Sequence, residues 1–338
     1  MPIFIFLAKR LCSLLLMLVM LSTLVFFFSR SIPGDPAAMY VGGEAKPQQI
    51  AQARRELGLD KALPIQYLRY MQKLLHGDLG VSLRTHRPVF RDLLLKLPMS
   101  MELVLLAMML SMVLGVALGG LAAFKAGTWI DLTITWISSA AVSLPIFFLA
   151  LLLQLVFFSW LKWLPLQGRI NVFLDFTHPI GHVTGFSLVD TLITGNYPAF
   201  FSVVRHIILP VLALTFYPLG QIVRLTRSSL LEVMTQEYIL AARASGISEG
   251  VLFFRYGLRN ALSPVLTVIG LSVALTLLAT FYVEIIFNWP GIGYYAITAI
   301  LSLDYPVLMG VTLIIGTVYV TANTAMDIVR RLVDPRIK

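Results

Sequence analysis

Few residues in this 338-residue chain are of a type that does chemistry, and fewer stand at a useful spacing. His178 and His182, with His206 beyond them, come nearest to a metal cluster, and imidazole suits nickel or another borderline divalent ion. Pro179 and Gly181 spoil the helical i, i+4 geometry between the first two, and no carboxylate or cysteine joins them, so no metal site is expected. Glu284 stands where an apolar stretch ends. An ionisable group near hydrocarbon is costly unless hydrated or paired, which makes Glu284 a candidate pathway or outer-gate residue. Its plainer reading is an interfacial anchor hydrogen-bonded to the turn at Gly291 to Gly293. The phosphate loop Gly-x-x-x-x-Gly-Lys-Ser/Thr is absent, so the chain itself is not expected to hydrolyse ATP. With no zinc signature and no nucleophile elbow read in it, it is expected to be no enzyme and to carry no cofactor.

The most informative stretch is residues 236–266, a polar and basic interruption between two apolar runs. Ala241, Ala242 and Ala244 favour helix, and Gly246 supplies a common helix stop. Ser248 is placed to cap a second short helix with Phe253, Phe254 and Leu258 at helical spacing. The pattern predicts helix, tight turn, helix. Small residues permit close approach of another backbone, and the two phenylalanines read as a plug for another protein's groove. Arg243, Glu249 and Arg255 are candidate polar docking contacts, or else solvated loop charges.

Composition supplies the setting. The chain is 58% hydrophobic and 13% charged, which marks an integral membrane protein, and the single cysteine, Cys12, excludes an internal disulfide. A net charge of +9 would suit nucleic acid, yet cations beside spans normally report orientation and anionic lipid, so membrane lipid and no nucleic acid is the expected contact. Six segments reach the length a bilayer requires: 11–28, 99–124, 132–161, 207–223, 264–287 and 307–328. The expected fold is therefore all-α with six transmembrane helices. The third is expected to bend at Pro145. The fourth is short and interrupted by Pro210, Pro218 and Gly220; such spans face protein or water, so Pro218 and Gln221 are candidates to line a pathway. Gly115, Gly119 and Gly120 in the second allow a neighbouring helix to approach closely. Trp160, Lys162, Trp163 and Arg169 mark the edge of the third.

Lys9 and Arg10 before the first span predict a cytoplasmic N-terminus and a retained signal anchor. Counting spans then puts 224–260, with Arg224, Arg227, Arg243, Arg255 and Arg259, and the tail, with Arg330, Arg331, Arg336 and Lys338, on the same side. Residues 30–97 fall outside. There Pro47 and Gly58 bracket one helix, and Pro64 and Gly77 bracket another with a stripe of Tyr67, Tyr70, Met71 and Leu74 that reads as packing. Three regions follow: 1–29 as tail and first span, 30–97 as an external helical cap, and 98–338 as the core.

On two separate blocks the sequence resembles a known family. The run Ala242-Arg243-Ala244-Ser245-Gly246 followed by Leu258-Arg259-Asn260-Ala261 is similar to the cytoplasmic loop motif of ABC importer permeases in its peptide-transporter form. The general motif has Glu, Ile and Pro where this chain has Leu240, Tyr256 and Arg259. Pro33-Gly34-Asp35-Pro36, Leu57-Gly58-Leu59-Asp60, Gly77-Asp78-Leu79-Gly80-Val81-Ser82 and Arg87-Pro88-Val89 resemble the B-type permease subunits of dipeptide, oligopeptide and nickel importers. So do the words from Glu284 through Phe287 and Trp289-Pro290-Gly291 to Gly293, Asp304-Tyr305-Pro306, and the Asp334-Pro335-Arg336 tail. The resemblance implies a bacterial inner-membrane permease that works with a second homologous permease, two ABC ATPases consuming ATP and Mg, and an extracytoplasmic solute-binding protein. It implies that 248–254 is the coupling helix seated in an ATPase, and that a small peptide is the solute; nickel, glutathione and other small polar solutes are imported by similar proteins. A channel or a secondary transporter is the remote alternative, though the span interiors lack the ionisable groups the latter usually shows.

Overall fold

A computed structural model describes residues 3–31, 35–42, 45–181 and 183–333. Among them the backbone is helical, with one isolated antiparallel bridge from Val81 to Pro88 and no strand. Five helices are long and apolar enough to cross a bilayer, and a sharply bent pair makes a sixth if it counts as one span. This is an all-α membrane fold, because in hydrocarbon only a helix or a closed barrel satisfies its own backbone. The chain divides into two compact units, Met1–Met99 with Pro290–Val320, and Ser100–Trp289 with Thr321–Lys338. Residues 290–320 thus group with the N-terminal region rather than with the rest of 98–338. Pro33, Gly34, His182 and the tail from Asp334 to Lys338 lie outside the described residues, as do the side chains of Lys9, Arg330 and Arg331.

In the first unit, α1 (Ile3–Ser31) is followed by α2 (Pro36–Val41), α3 (Pro47–Glu56) and α4 (Leu63–Leu75). Proline opens α2 and α3 and sits in the first turn of α4, where its missing N–H costs nothing, and Gly58 and Gly77 follow the last two with φ of +67° and +76°. Asp35 caps α2 by accepting from the Ala37 amide at 3.1 Å and pairs with Arg54 at 2.7 Å. The stripe on α4 packs on α1: Phe26, fully buried, stacks on Tyr70 at 5.6 Å and meets Tyr67 edge-on at 5.3 Å. The Tyr67 and Thr23 hydroxyls hydrogen-bond at 2.7 Å. Residues 290–320 join this unit through buried polar bonds, from Ser82 Oγ to Asp304 Oδ2 at 2.5 Å and from Tyr295 Oη to Asp92 Oδ2 at 3.0 Å.

The second unit is built around α10 (Tyr197–Met234), which is 38 residues long and the most buried of the candidate spans. It is neither short nor interrupted as Pro210, Pro218 and Gly220 suggested. Each proline removes one internal bond, and packing on both sides of α10 overrides that local cost. On one side Gly115 and Gly119 of α5 (Val89–Phe124) meet it so closely that added Cβ atoms would lie 2.6 Å from Ile222 Cγ2 and 2.6 Å from the Val223 oxygen. On the other, a Cβ on Gly220 would lie 2.5 Å from the Ser138 oxygen of α6 (Trp129–Ser143). Glycine here serves close approach rather than a break.

The third span is broken, not merely bent. α6 and the helix from Ile146 to Trp160, made of α7 (Ile146–Leu153) and a π-turn (Gln154–Trp160), meet at 108°. Leu144 is extended at φ −78°, ψ 127°, as a residue before proline prefers. Gln154 then ties the π-turn to the end of the fifth span by donating to the Ile286 oxygen at 3.1 Å. Arg169 is no snorkelling cation, since its guanidinium turns inward and donates to Ser187 Oγ. In the connection before α10, α8 (Val172–Thr177) and α9 (Ser187–Ile193) are short, and the fully buried Asp190 holds the loop by accepting from the Thr184 and Gly185 amides at 2.7 and 2.9 Å. Burial pushes the Asp190 carboxyl up, but these donors and the Thr184 hydroxyl outweigh it and hold the group below the ordinary carboxylate range.

Two outcomes follow. Gly220→Ala forces backbone to move and lowers stability by about 1–3 kcal/mol, whereas Gly120→Ala, whose Cβ would stand 4.0 Å from Leu230 Cδ1, is neutral; thermal unfolding in detergent separates them. Asp190→Asn lowers stability at neutral pH by about 1–3 kcal/mol. Because the folded pKa lies below the unfolded one, the parent's advantage is present above the unfolded value and disappears as pH falls through the folded value. A gap between parent and variant that stays constant into acid would contradict this.

Candidate functional site

The polar interruption folds as helix, turn, helix. α11 (Glu237–Ala244) buries Ile239 completely and ends at Gly246, φ +83°, with no atom within 4 Å of where a Cβ would stand. The Gly246 amide donates to the Arg243 oxygen at 3.0 Å and the Ile247 amide to the Ala242 oxygen at 3.3 Å, the bond pair of a Schellman stop. Ser248 occupies the N-cap of α12 (Glu249–Val251), but its side chain makes no capping bond, so its backbone rather than its hydroxyl starts the helix.

That second helix is not a separate short element. From Glu249 it runs through a π-turn (Leu252–Gly257) into α13 (Leu258–Ile286), giving one helix of 38 residues over Glu249–Ile286. A π-turn is uncommon and is often found where a helix serves function. It is wedged here by Gly257, whose added Cβ would lie 3.0 Å from Met234 Sδ at the end of α10.

The two phenylalanines part company. Phe253 is 4% exposed and clusters with Ala123, Leu230 and Ala261, its ring edge-on to Phe124 at 5.1 Å; Phe254 is 65% exposed. Phe253 is therefore an internal wedge and no plug, because neighbours on a helix point about 100° apart. Tyr238, Leu240, Val251 and Phe254 leave an exposed apolar surface on the loop. A cleft of about 610 Å³ between α5 and α13 runs from Met112 to Phe254.

The charges are largely spent within the chain. Arg243 and Glu249 form a forked pair across the turn, Nε to Oε1 at 2.5 Å and Nη2 to Oε2 at 3.1 Å. Both are exposed, so the pair fixes geometry more than it adds stability. Asn260 donates to Tyr238 Oη at 3.0 Å, a second strut between the two limbs. Arg227 clamps the buried Asp131 of α6 with bonds of 2.5 and 2.8 Å, and Arg224 donates to Gln221. Arg255, Arg259, Ala241, Gly246 and Ser248 stay exposed and Ala242 half-buried. The letters Gly246-Ile247-Ser248-Glu249-Gly250 do spell Gly-x-Ser-x-Gly, contrary to the sequence reading, but a helix leads into them where a nucleophile elbow needs a strand.

Sequence reasoning missed Leu230 and Phe124, which hold Phe253 of the loop from other helices, and Asp131, which ties α6 to α10 through Arg227 just before the loop. The one signal was Asp131 itself, a carboxylate at the head of a span. Of the remaining candidates, Pro218 is buried and presents nothing to a water-filled path, while Gln221 is half-buried beside Tyr217, whose Oη accepts from it at 3.3 Å. Glu284 is 0% exposed and accepts from Ser100 Oγ at 2.5 Å, so it is sealed rather than solvent-lining in this conformation. His178 bonds Thr177 and His206 bonds the Ser202 oxygen, and among the described residues no three potential ligands gather around a metal position.

Several apolar spans with a polar helical loop between two of them, carrying an exposed apolar surface, define an integral membrane protein of the multi-pass helical class. Comparison with known proteins makes that specific. A family model described as binding-protein-dependent transport system inner membrane component matches residues 115–338, and the model for the N-terminal part of such membrane components matches 3–104. The chain is similar to the di/tripeptide transport system permease protein DppB of Pseudomonas aeruginosa, 41% identical over 98% of each protein. It is 39% identical to the dipeptide transport system permease protein DppB of Alkalihalophilus pseudofirmus, again over 98% of each. It is 38% identical to the probable D,D-dipeptide transport system permease protein DdpB of Escherichia coli, over 98% of this chain and 96% of that one. The chain belongs to the family of binding-protein-dependent transport system inner-membrane components.

Phe253→Ala should destabilise the chain by about 3–5 kcal/mol, and Phe254→Ala should leave it unchanged within about 0.5 kcal/mol. Thermal unfolding in detergent reads both, and equal shifts would contradict the wedge.

Proposed function

We propose that this chain is the permease subunit of an ATP-driven importer that passes a small peptide, delivered by a solute-binding protein, across the bacterial inner membrane by alternating access. It acts beside a second homologous permease and two ABC ATPases, which bind the ATP and Mg. Both termini and residues 235–260 face the cytoplasm, in line with the arginines there. The peptide class rests on the di- and tripeptide names of relatives that match nearly the whole chain.

The observation that carries the mechanism is the unbroken helix Glu249–Ile286. Residues 249 and 284 lie about 50 Å apart along it at 1.5 Å per residue. The ATPase seats on the exposed face bearing Val251, Phe254 and Arg255, with Ala241, Ala242 and Gly246 giving it close approach. Because Phe253, the Arg243–Glu249 pair and the Asn260–Tyr238 bond fix the loop, a push there tilts the helix instead of deforming the loop. At the far end the tilt separates Glu284 from Ser100, opening an outer gate; Gln221 lies along the path. ATP thus biases two packed states of one element.

In proteoliposomes holding the permease pair, ATPases and binding protein, labelled dipeptide should accumulate only with ATP inside. Phe254→Asp should cut uptake by about tenfold, the price of about 1.4 kcal/mol in coupling, without altering thermal stability. Uptake that persists without ATPases would mean a channel, and normal uptake by Phe254→Asp would remove the docking face.

A further inference from the structure

We propose that a second site, separate from solute passage, holds the phosphate headgroup of one anionic phospholipid in a cavity of the first unit. The cavity is about 350 Å³, within the range of small-ligand pockets. Arg30, Arg69 and Lys73 converge on it. Two carboxylates, Glu56 and Asp78, also line it, so the three cations leave one net positive charge. Each carboxylate already has a donor: Gln52 Nε2 reaches Glu56 at 2.9 Å and the Gly80 amide reaches Asp78 at 2.8 Å.

Two tyrosines supply the more telling sign. Tyr70 and Tyr305 both line the cavity, and their hydroxyls are buried with no hydrogen-bond partner among the described residues. Tyr305 is only 2% exposed. Buried polar groups are almost always paired, so two orphaned donors beside three cations describe a place for acceptor oxygens bearing negative charge. Burial pushes the Tyr70 hydroxyl up to about 12, with a smaller push from Tyr67, which keeps it a donor at neutral pH.

Arg30 is held in place at the cavity. Arg30 Nε donates to Gln66 Oε1 at 3.1 Å, and Gln66 is itself fixed by donating to the Lys61 oxygen at 2.8 Å. The guanidinium rests 5.2 Å over the Phe26 ring, leaving its terminal N–H groups unspent on these contacts. Arg69 lies over Gly58, where a Cβ would stand 3.3 Å from Nη1.

Lipid rather than a free anion follows from depth and lining. Arg30 lies two residues beyond Phe28, where the first span ends, and Tyr305 is the first residue of the last span. Both therefore sit at headgroup level, where cations and tyrosine normally concentrate. The rest of the lining includes Phe26, Leu79, Val81, Leu83 and Met309, an apolar wall suited to glycerol and the upper acyl chains and useless to inorganic phosphate.

The test uses the full chain, purified in detergent, stripped of lipid and titrated with phosphatidylglycerol or phosphatidylcholine under native mass spectrometry. The parent should retain one phosphatidylglycerol with about tenfold preference over phosphatidylcholine. The exposed pair Arg69→Gln with Lys73→Gln should lose that preference, because both cations attract an anionic headgroup, at unchanged thermal stability. Tyr305→Phe, which removes only the hydroxyl, should weaken retention severalfold. Equal retention by parent and variants would mean annular lipid only and overturn the site. Displacement of the lipid by equimolar sodium phosphate or by dipeptide would assign the cavity to a free anion or to the solute and overturn it equally.

Discussion

The loop between α10 and α13 depends on the burial of Phe253. Its ring reaches from a π-turn into a cluster drawn from three spans, Ala123 at the end of α5, Leu230 near the end of α10, and Ala261 on α13. A polar loop of this length has no reason of its own to stay rigid, since its charges gain little in water. One aromatic side chain removed from water does what the exposed ion pairs cannot. It joins the loop to the spans as a single body, and the Arg243–Glu249 fork and the Asn260–Tyr238 bond then have fixed limbs to brace.

A rigid projection is useful only if what it is rigid with can move. α10 is gripped by glycine-mediated contacts on both sides, and its Arg227 is locked to Asp131 of α6. Packed interfaces of this kind are bistable rather than soft, which suits a component that must switch between two access states. Placing the exposed Val251 and Phe254 and the sealed Glu284 on the same unbroken helix gives mechanical continuity between them. The 108° break after Ser143 shows the contrasting solution, where a span gives up continuity at a proline.

The sequence made the short helices of the N-terminal region readable because proline and glycine act locally: Pro47, Gly58, Pro64 and Gly77 mark helix ends whatever surrounds them. The same locality misled at α10. Pro210 and Pro218 do weaken a helix in isolation, and only the distant partners of Gly115, Gly119 and Gly220 show why it persists. Pro145 marked the site of the bend, but its size depends on packing that no local pattern encodes. Phe253 and Phe254 read alike as letters, and the π-turn that sets their faces leaves no periodic signature. The Arg227–Asp131 clamp joins residues 96 positions apart, beyond any spacing rule. Family membership was legible throughout, since it rests on whole words of sequence rather than on contacts.

The most direct measurement is co-purification of the partner ATPase with the intact chain and with a chain in which residues 246–249 are replaced by a flexible linker, each alongside the second permease. The account predicts that the linker chain keeps its thermal unfolding transition and loses the ATPase. Retention of the ATPase with unchanged stimulation of ATP hydrolysis would contradict the assignment of this loop as the point where energy enters.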